Sequence, residues 1–184
     1  NKSGVFALSR TFDTVGPLAK TVKDCSLFDK ILNDTREKHN CEIKPSDISL
    51  FIPEGIVFED LEQSVADNFE NTIGILSKRG IKITYGKCPE FCESVRLARE
   101  LGTITSAEAY IEHEEALSCD QRKKIDRRVV KRLLMGIAMT APDLIKLQRA
   151  RQRLIGSLTE RLDGALIAIP TTPITAPEIG KLEN

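Results

Sequence analysis

The chain has 184 residues, 41% hydrophobic and 29% charged, an ordinary globular balance that one core or a tightly joined pair of subdomains accommodates. Its 27 basic and 27 acidic side chains cancel, so no net basic field exists for a sequence-independent grip on nucleic acid, and no nucleic-acid partner is expected. No apolar run approaches the length that spans a bilayer, so no membrane partner is expected either.

Asn1 opens directly into a globular-looking segment without a signal-peptide pattern, and the missing initiator methionine is expected of a chain that begins inside a longer protein. Five cysteines are present: Cys25, Cys41, Cys88, Cys92 and Cys119. Their odd number and irregular spacing, in a chain too large to need staples, read as free thiols of a reducing, cytoplasmic compartment. Cys88 and Cys92 have the spacing of half a zinc site, but no second Cys/His pair follows. His39 and His113 stand far apart, so neither a metal nor a cofactor is expected.

In chain order, Gly4 to Ser9 (GVFALS) reads as a short buried strand, followed by a turn-rich stretch to Leu18. A helix is predicted from near Thr21, with Asp24 at a capping distance and Val22, Cys25, Phe28 and Leu32 on one face, ending near Asp34. Thr35 to Asp47 is the linker candidate. Ile48 to Pro53 (ISLFIP) is a predicted strand. Asp60 with Gln63 is placed to cap the next helix, whose stripe is Leu61, Val65, Phe69, Ile73 and Leu76, with Gly80 at its C-terminal cap. Ile81 to Tyr85 alternates as a strand, and strand–helix–strand at this spacing suggests a right-handed βαβ unit.

A helical region follows. Phe91, Val95 and Ala98 mark one segment, and Gly102 interrupts it before Ile104, Ala107, Ile111 and Leu117 resume. Ile125, Val129, Leu133 and Ile137 mark another. Pro142 opens the last helix, whose stripe is Leu144, Leu147, Ala150, Leu154, Leu158 and Leu162. Ala165 to Ile169 (ALIAI) is predicted as the last buried strand, and a proline-rich extended loop closes the chain. The fold class is α/β, with a helical insert over roughly 89–162.

Three blocks carry a family likeness. Gly4 to Asp24 (GVFALSRTFDTVGPLAKTVKD) resembles the amidase-signature pattern of a Gly-Val strand leading into Asp-Thr-Val-Gly-Pro-Leu-Ala-Arg, with Ala7 where proline is usual and Lys20 where arginine is usual. Ile48 to Ile83 carries the Pro53–Gly55 turn and the helix ending in Arg79–Gly80. Asp163 to Gly180 (DGALIAIPTTPITAPEIG) is similar to the family's aliphatic strand followed by Pro-Thr-Thr-Pro. Ala107 to Tyr110, and Arg132 with Gly136, sit between them in family order. Residues 1–184 therefore read as a partial amidase-signature domain, in which the family's mixed β-sheet core is flanked by helices.

The resemblance implies hydrolysis of a small carboxamide C–N bond by a serine nucleophile, a second serine on a cis peptide bond, and a lysine held deprotonated. The family places all three upstream of the strand at Gly4, and no Gly-Gly-Ser or Gly-Ser-Ser run occurs here. No catalytic residue is assigned, and this chain alone is expected to be inactive. The family's Gly-Leu-Pro-rich continuation beyond the last block is also absent, so both ends are expected to be cut. The expected partners are a small amide substrate and the remainder of the amidase chain, with a homo-oligomer left open.

The glutamyl-tRNA amidotransferase A subunit is the alternative, but its Tyr-Asp-Gly-x-Arg stretch is replaced here by Tyr110-Ile-Glu-His-Glu-Glu-Ala. A further alternative is a non-catalytic remnant that assembles with a partner through open strand edges.

The resemblance places Asp13 and Thr14 near the active-site wall; the plain reading is that they satisfy local backbone N–H groups. Thr171 and Thr172 follow the last strand, where ligands of open α/β sheets gather, and otherwise form a proline-braced turn. Tyr110 and Arg132 come from the insert that shapes the family's pocket; Arg132 suits a substrate carboxylate or an interhelical ion pair. The basic run Arg122 to Arg132 reads as an RNA or membrane patch, or as a solvated surface balanced by Asp120, Asp126 and Glu112–Glu115.

Overall fold

The computed structural model describes residues 4–33 and 43–181. In chain order these form α1 (Val22–Leu32), β1 (Ser49–Glu54), α2 (Gln63–Lys78), β2 (Lys82–Lys87), α3 (Pro89–Leu101), α4 (Ile104–Ser118), α5 (Arg127–Leu134), α6 (Ala141–Leu162) and β3 (Leu166–Ile167), joined in places by short 3₁₀ turns. They divide into two compact units, one of Asn1–Cys41 with Leu97–Arg149 and one of Glu42–Arg96 with Ala150–Asn184. Most of the predicted linker, residues 35–42, lies outside the described residues, as does Cys41.

The second unit holds the sheet. β1 is central and pairs in parallel with β2, from Ser49↔Lys82 to Glu54↔Lys87, and with β3 at Leu50↔Leu166 and Phe51↔Ile167. Leu50, Ile52 and Pro53 are its buried residues. A proline in a central strand normally removes a ladder bond. Here the Phe51 carbonyl accepts from the Ala168 N–H (3.0 Å) on the β3 side. Two residues on, Pro53 faces that same side beyond the last residue β3 pairs, so its missing N–H breaks no bond of the described ladder.

The connection from β1 to β2 is α2, and its predicted stripe faces inward, with Ile73 buried and Val65, Phe69 and Leu76 half-buried. Gly80 ends it as expected. At φ 92° it lets its own N–H reach the Ser77 carbonyl (2.9 Å) and the Ile81 N–H reach Leu76 (3.3 Å), the paired bonds of a Schellman stop. The predicted cap at the other end is replaced. Glu62 is the N-cap and gives no side-chain cap bond. Asp60 turns to φ 59°, and Gln63 spends its amide on Asp67 (2.7 Å).

The first unit is helical. Ala109, Leu117, Val130 and Leu133 form its core, with Tyr110, Ile125 and Leu134 packed against it. Thr103 caps α4 by accepting the Ser106 N–H (3.0 Å), and Asp126 caps α5 by accepting the Arg128 N–H (2.7 Å). The buried face of α5 is only partly the predicted one: Leu133 is in the core and Ile125 packs against it, but Val130 takes the place expected of Val129. Val130 and Leu133 are covered, whereas Val129 and Ile137 stay exposed. The helix stops at Leu134 and continues as a 3₁₀ turn through Met135–Ala138, whose three-residue period moves Ile137 off the face. Gly136 is buried there, and a Cβ on it would lie 2.2 Å from the Ser106 carbonyl oxygen, so α4 approaches as close as a bare backbone permits.

Two further expectations are corrected in this unit. Gly4 to Ser9 forms no strand, because no described strand offers it a ladder, and only Ser9 of the run is buried. α1 starts after its Thr21 cap as predicted, but it buries no residue. Leu27, Phe28, Ile31 and Leu32 remain exposed, so no element among the described residues covers its apolar face. In the sheet, β3 is shorter than expected, and Leu166 is exposed.

Candidate functional site

In the helical unit, the loop after Ser9 is held by carboxylates. Asp13 accepts the backbone N–H groups of Leu8 (2.9 Å) and Ser9 (3.0 Å), folding the loop back on itself. From α4, Glu108 accepts the Ser9 hydroxyl (2.5 Å), the Thr11 N–H (3.0 Å) and the Thr11 hydroxyl. Burial opposes ionisation of Glu108, but these donors outweigh it and hold its carboxyl below the usual range. One turn on, Glu112 forms a forked pair with Arg10, whose Nη2 donates at 2.9 Å. The Phe6 and His113 rings stack at 5.0 Å. The loop is therefore held from within by Asp13 and from α4 by Glu108 and Glu112, leaving Thr14 exposed at its end.

Tyr110 is half-buried beneath Gly136, and its hydroxyl donates to Glu114 (3.3 Å). Burial, then the charge of Glu114, pushes its phenol above the ordinary value. Arg132 is exposed in the last turn of α5. Asp13, Thr14, Tyr110 and Arg132 thus share one unit, with α4 supporting the loop through Glu108 on one turn and packing on Gly136 through Tyr110 on another.

In the sheet unit, Thr171 and Thr172 follow β3 and border a cavity of about 620 Å³ whose far wall is α2, from Ser64 to Leu76. The Thr172 hydroxyl donates to the Ile174 carbonyl (2.9 Å) and so braces the turn, while Thr171 makes the rim. Glu62 clasps this loop to the start of α2. Its N–H donates to the Pro173 carbonyl (2.8 Å), and its carboxylate accepts the Thr175 N–H (2.8 Å) and hydroxyl (2.9 Å). These bonds from Thr175, with a third from Ser64, lower its pKa. A second cavity of about 780 Å³ lies along the same helix, lined by Ile52, Phe58, Phe69, Ile73, Ile83 and Tyr85 among others.

An ion pair with a buried carboxylate joins α3 to α6 in this unit. Glu90, in the first turn of α3, is 5% exposed and accepts from Arg161 Nη2 (3.0 Å), Arg161 Nε (3.1 Å) and the Ser157 hydroxyl (2.6 Å), both from α6. Its carboxyl is held down to about 2, chiefly by Arg161, against the cost of burial. The Cys88 thiol donates to it (3.5 Å), and burial pushes that thiol up.

Glu62, Glu90 and Glu108 had no role in the sequence reading. Glu108 sits inside the Ala107–Tyr110 run that the family likeness marks. Glu90 is 71 residues from Arg161, and no local pattern joins them. Cys25, Cys88, Cys92 and Cys119 are free thiols, and no group of three or more His, Cys, Asp or Glu side chains gathers among the described residues. No helix among them is long and apolar enough to cross a membrane.

In chain order the structure thus has a carboxylate-held loop after Ser9, parallel strands joined by a helix, and a threonine-bearing Pro-Thr-Thr-Pro loop beyond β3. The amidase family model matches residues 1–184, and the chain belongs to the amidase family. Among curated proteins it is 22% identical to the glutamyl-tRNA(Gln) amidotransferase A subunit of Thermotoga maritima over 216 residues, covering 100% of this chain and 46% of that protein. A crystal structure of an amidase shares its fold with TM-score 0.78 at 23% identity, over 95% of this chain and 39% of the other. The crystal structure of the Thermotoga maritima amidotransferase protein superposes with TM-score 0.71 at 23% identity, over 100% of this chain and 42% of that one. The chain therefore spans less than half the length of these relatives.

Proposed function

We propose that these 184 residues serve as part of an amide hydrolase that splits a small carboxamide into acid and ammonia or amine. The observation that carries this reading is the family match across the whole chain. The proposed chemistry is a seryl acyl-enzyme formed by a serine, a second serine on a cis peptide bond and a lysine, all outside this chain. The lysine accepts the nucleophile's proton through the bridging serine, so it must be neutral before attack.

Within that scheme this chain contributes walls rather than the nucleophile. In the helical unit the loop bearing Asp13 and Thr14, pinned by Glu108, is a candidate wall segment; in the sheet unit, taken by itself, the loop bearing Thr171 and Thr172, pinned by Glu62, is another. Each is held by a carboxylate that accepts several N–H or O–H groups, the kind of support that keeps a substrate wall from drifting. Within the helical unit Tyr110 and Arg132 are the further pocket candidates, Arg132 as the side chain for a substrate carboxylate.

Ammonia release from a panel of aliphatic and aromatic carboxamides tests the reading. The intact parent protein should release it, and the isolated 184-residue chain should not. A parent sequence without the two serines and the lysine, or serine-dependent turnover by this chain alone, refutes it.

A second reading is a glutaminase of the amidotransferase A-subunit type, favoured by the names of the curated sequence relatives. The replacement of Tyr-Asp-Gly-x-Arg after Tyr110 weighs against it. Glutamine hydrolysis that rises on adding the other subunits of such an enzyme would select this reading over the general amidase.

A further inference from the structure

Arg122, Lys123, Arg127 and Lys131 surround a groove of about 640 Å³. Its floor is apolar: Val130 is buried, and Ile125 and Leu134 are half-buried. Asp120 pairs with Lys123 (2.8 Å), and Asp126 is taken by the backbone N–H and guanidinium of Arg128. No ion pair joins Arg122, Arg127 or Lys131 to a described carboxylate, and no acidic side chain lines the groove. The whole chain has no net charge, so Arg122, Arg127 and Lys131 around one groove, with Lys123 already paired, are a local excess rather than a share of a general one.

We propose that this groove binds a small organic anion, a phosphate or carboxylate carried on an apolar body. The anion faces the Arg122 and Arg127 forks and Lys131, and the body lies on Ile125, Val130 and Leu134. Two properties of the groove select this class. Its volume falls within the range of about 300–1,000 Å³ usual for small-ligand sites, which favours a compact ligand over a polymer. Its combination of an apolar floor with guanidinium groups that no described carboxylate engages rewards both halves of such a ligand, whereas an inorganic anion uses only the rim and a neutral body only the floor. The groove belongs to the helical unit and uses none of the residues assigned to the amide pocket.

Methyl-resolved NMR of the unaltered 184-residue chain tests it by titration with phenyl phosphate, benzyl alcohol and inorganic phosphate. Phenyl phosphate should shift the Ile125, Val130 and Leu134 methyls and bind about tenfold more tightly than either control, one factor of ten being the worth of a charge-assisted contact. Arg122→Gln with Arg127→Gln should remove most of that margin while leaving benzyl alcohol binding unchanged. Equal binding of phenyl phosphate and benzyl alcohol, or shifts away from these methyls, overturns the proposal. So does a short single-stranded RNA that displaces phenyl phosphate with a steep salt dependence, since it would make the groove a polyanion site. The comparison of ligands on the unaltered chain decides the matter even if the double variant fails to fold.

Discussion

Replacing Glu90 by glutamine removes one charge and almost no volume. In the native chain its carboxylate is 5% exposed and takes a forked guanidinium from Arg161 and a hydroxyl from Ser157. Its pKa falls from the ordinary 4.5 to about 2 on folding. By linkage, that difference corresponds to about 3 kcal/mol of stability, and screening of the partly exposed Arg161 reduces it to about 2 kcal/mol. Because the folded pKa is depressed, the contribution is fully present above the unfolded value and is lost as pH falls from 4.5 toward 2. Urea unfolding of the native chain and Glu90→Gln at a series of pH values measures it, with equal m-values as the check that the unfolded states match. The variant should be less stable by about 2 kcal/mol at pH 7, and the gap should close on acidification. A gap that stays constant with pH, or one below about 0.5 kcal/mol at pH 7, refutes the reasoning.

Three other outcomes are expected. Gly136→Ala forces a methyl to within 2.2 Å of the Ser106 carbonyl oxygen, and thermal unfolding should show a loss of about 2–3 kcal/mol; an unaffected melting temperature would mean that α4 does not approach there. Glu108→Ala leaves the Ser9 and Thr11 donors without their shared acceptor, so hydrogen exchange at the Thr11 amide should quicken at least about tenfold while the Thr175 amide is unchanged. Iodoacetamide should label exposed Cys92 and Cys119 in the folded chain and spare Cys88, which is buried and raised in pKa; mass mapping that finds Cys88 labelled as fast as Cys92 contradicts its burial.

How much of this was legible depended on the range of the interaction. Thr21 before Asp24, Gly80 after Lys78 and Gly102 before Thr103 announce helix boundaries from within four residues, and the structure places caps at each. The stripes of α2 and α6 were equally readable, because a long helix repeats its buried face several times. α5 was not: eight residues give barely two turns, and the 3₁₀ continuation changes the period before a stripe can settle. The cap of α2 also misled. Asp60 and Gln63 have capping spacing, but Glu62 is drawn to Thr175, 113 residues away, and takes the N-cap position instead.

By itself the sequence determined the order of helices and strands, most of their boundaries and the family blocks, since these rest on periodicity, turn chemistry and short motifs. The tertiary structure decided which carboxylates matter. Glu62, Glu90 and Glu108 are unremarkable in a chain with 27 acidic residues. They become supports because folding brings donors 113, 71 and 97 residues away within hydrogen-bond reach. Among the described residues it also decided that GVFALS pairs with no strand and that no element covers the apolar face of α1. A strand needs a neighbouring ladder and an amphipathic face needs a surface to cover it, and both are properties of what lies beside a segment rather than of its residues.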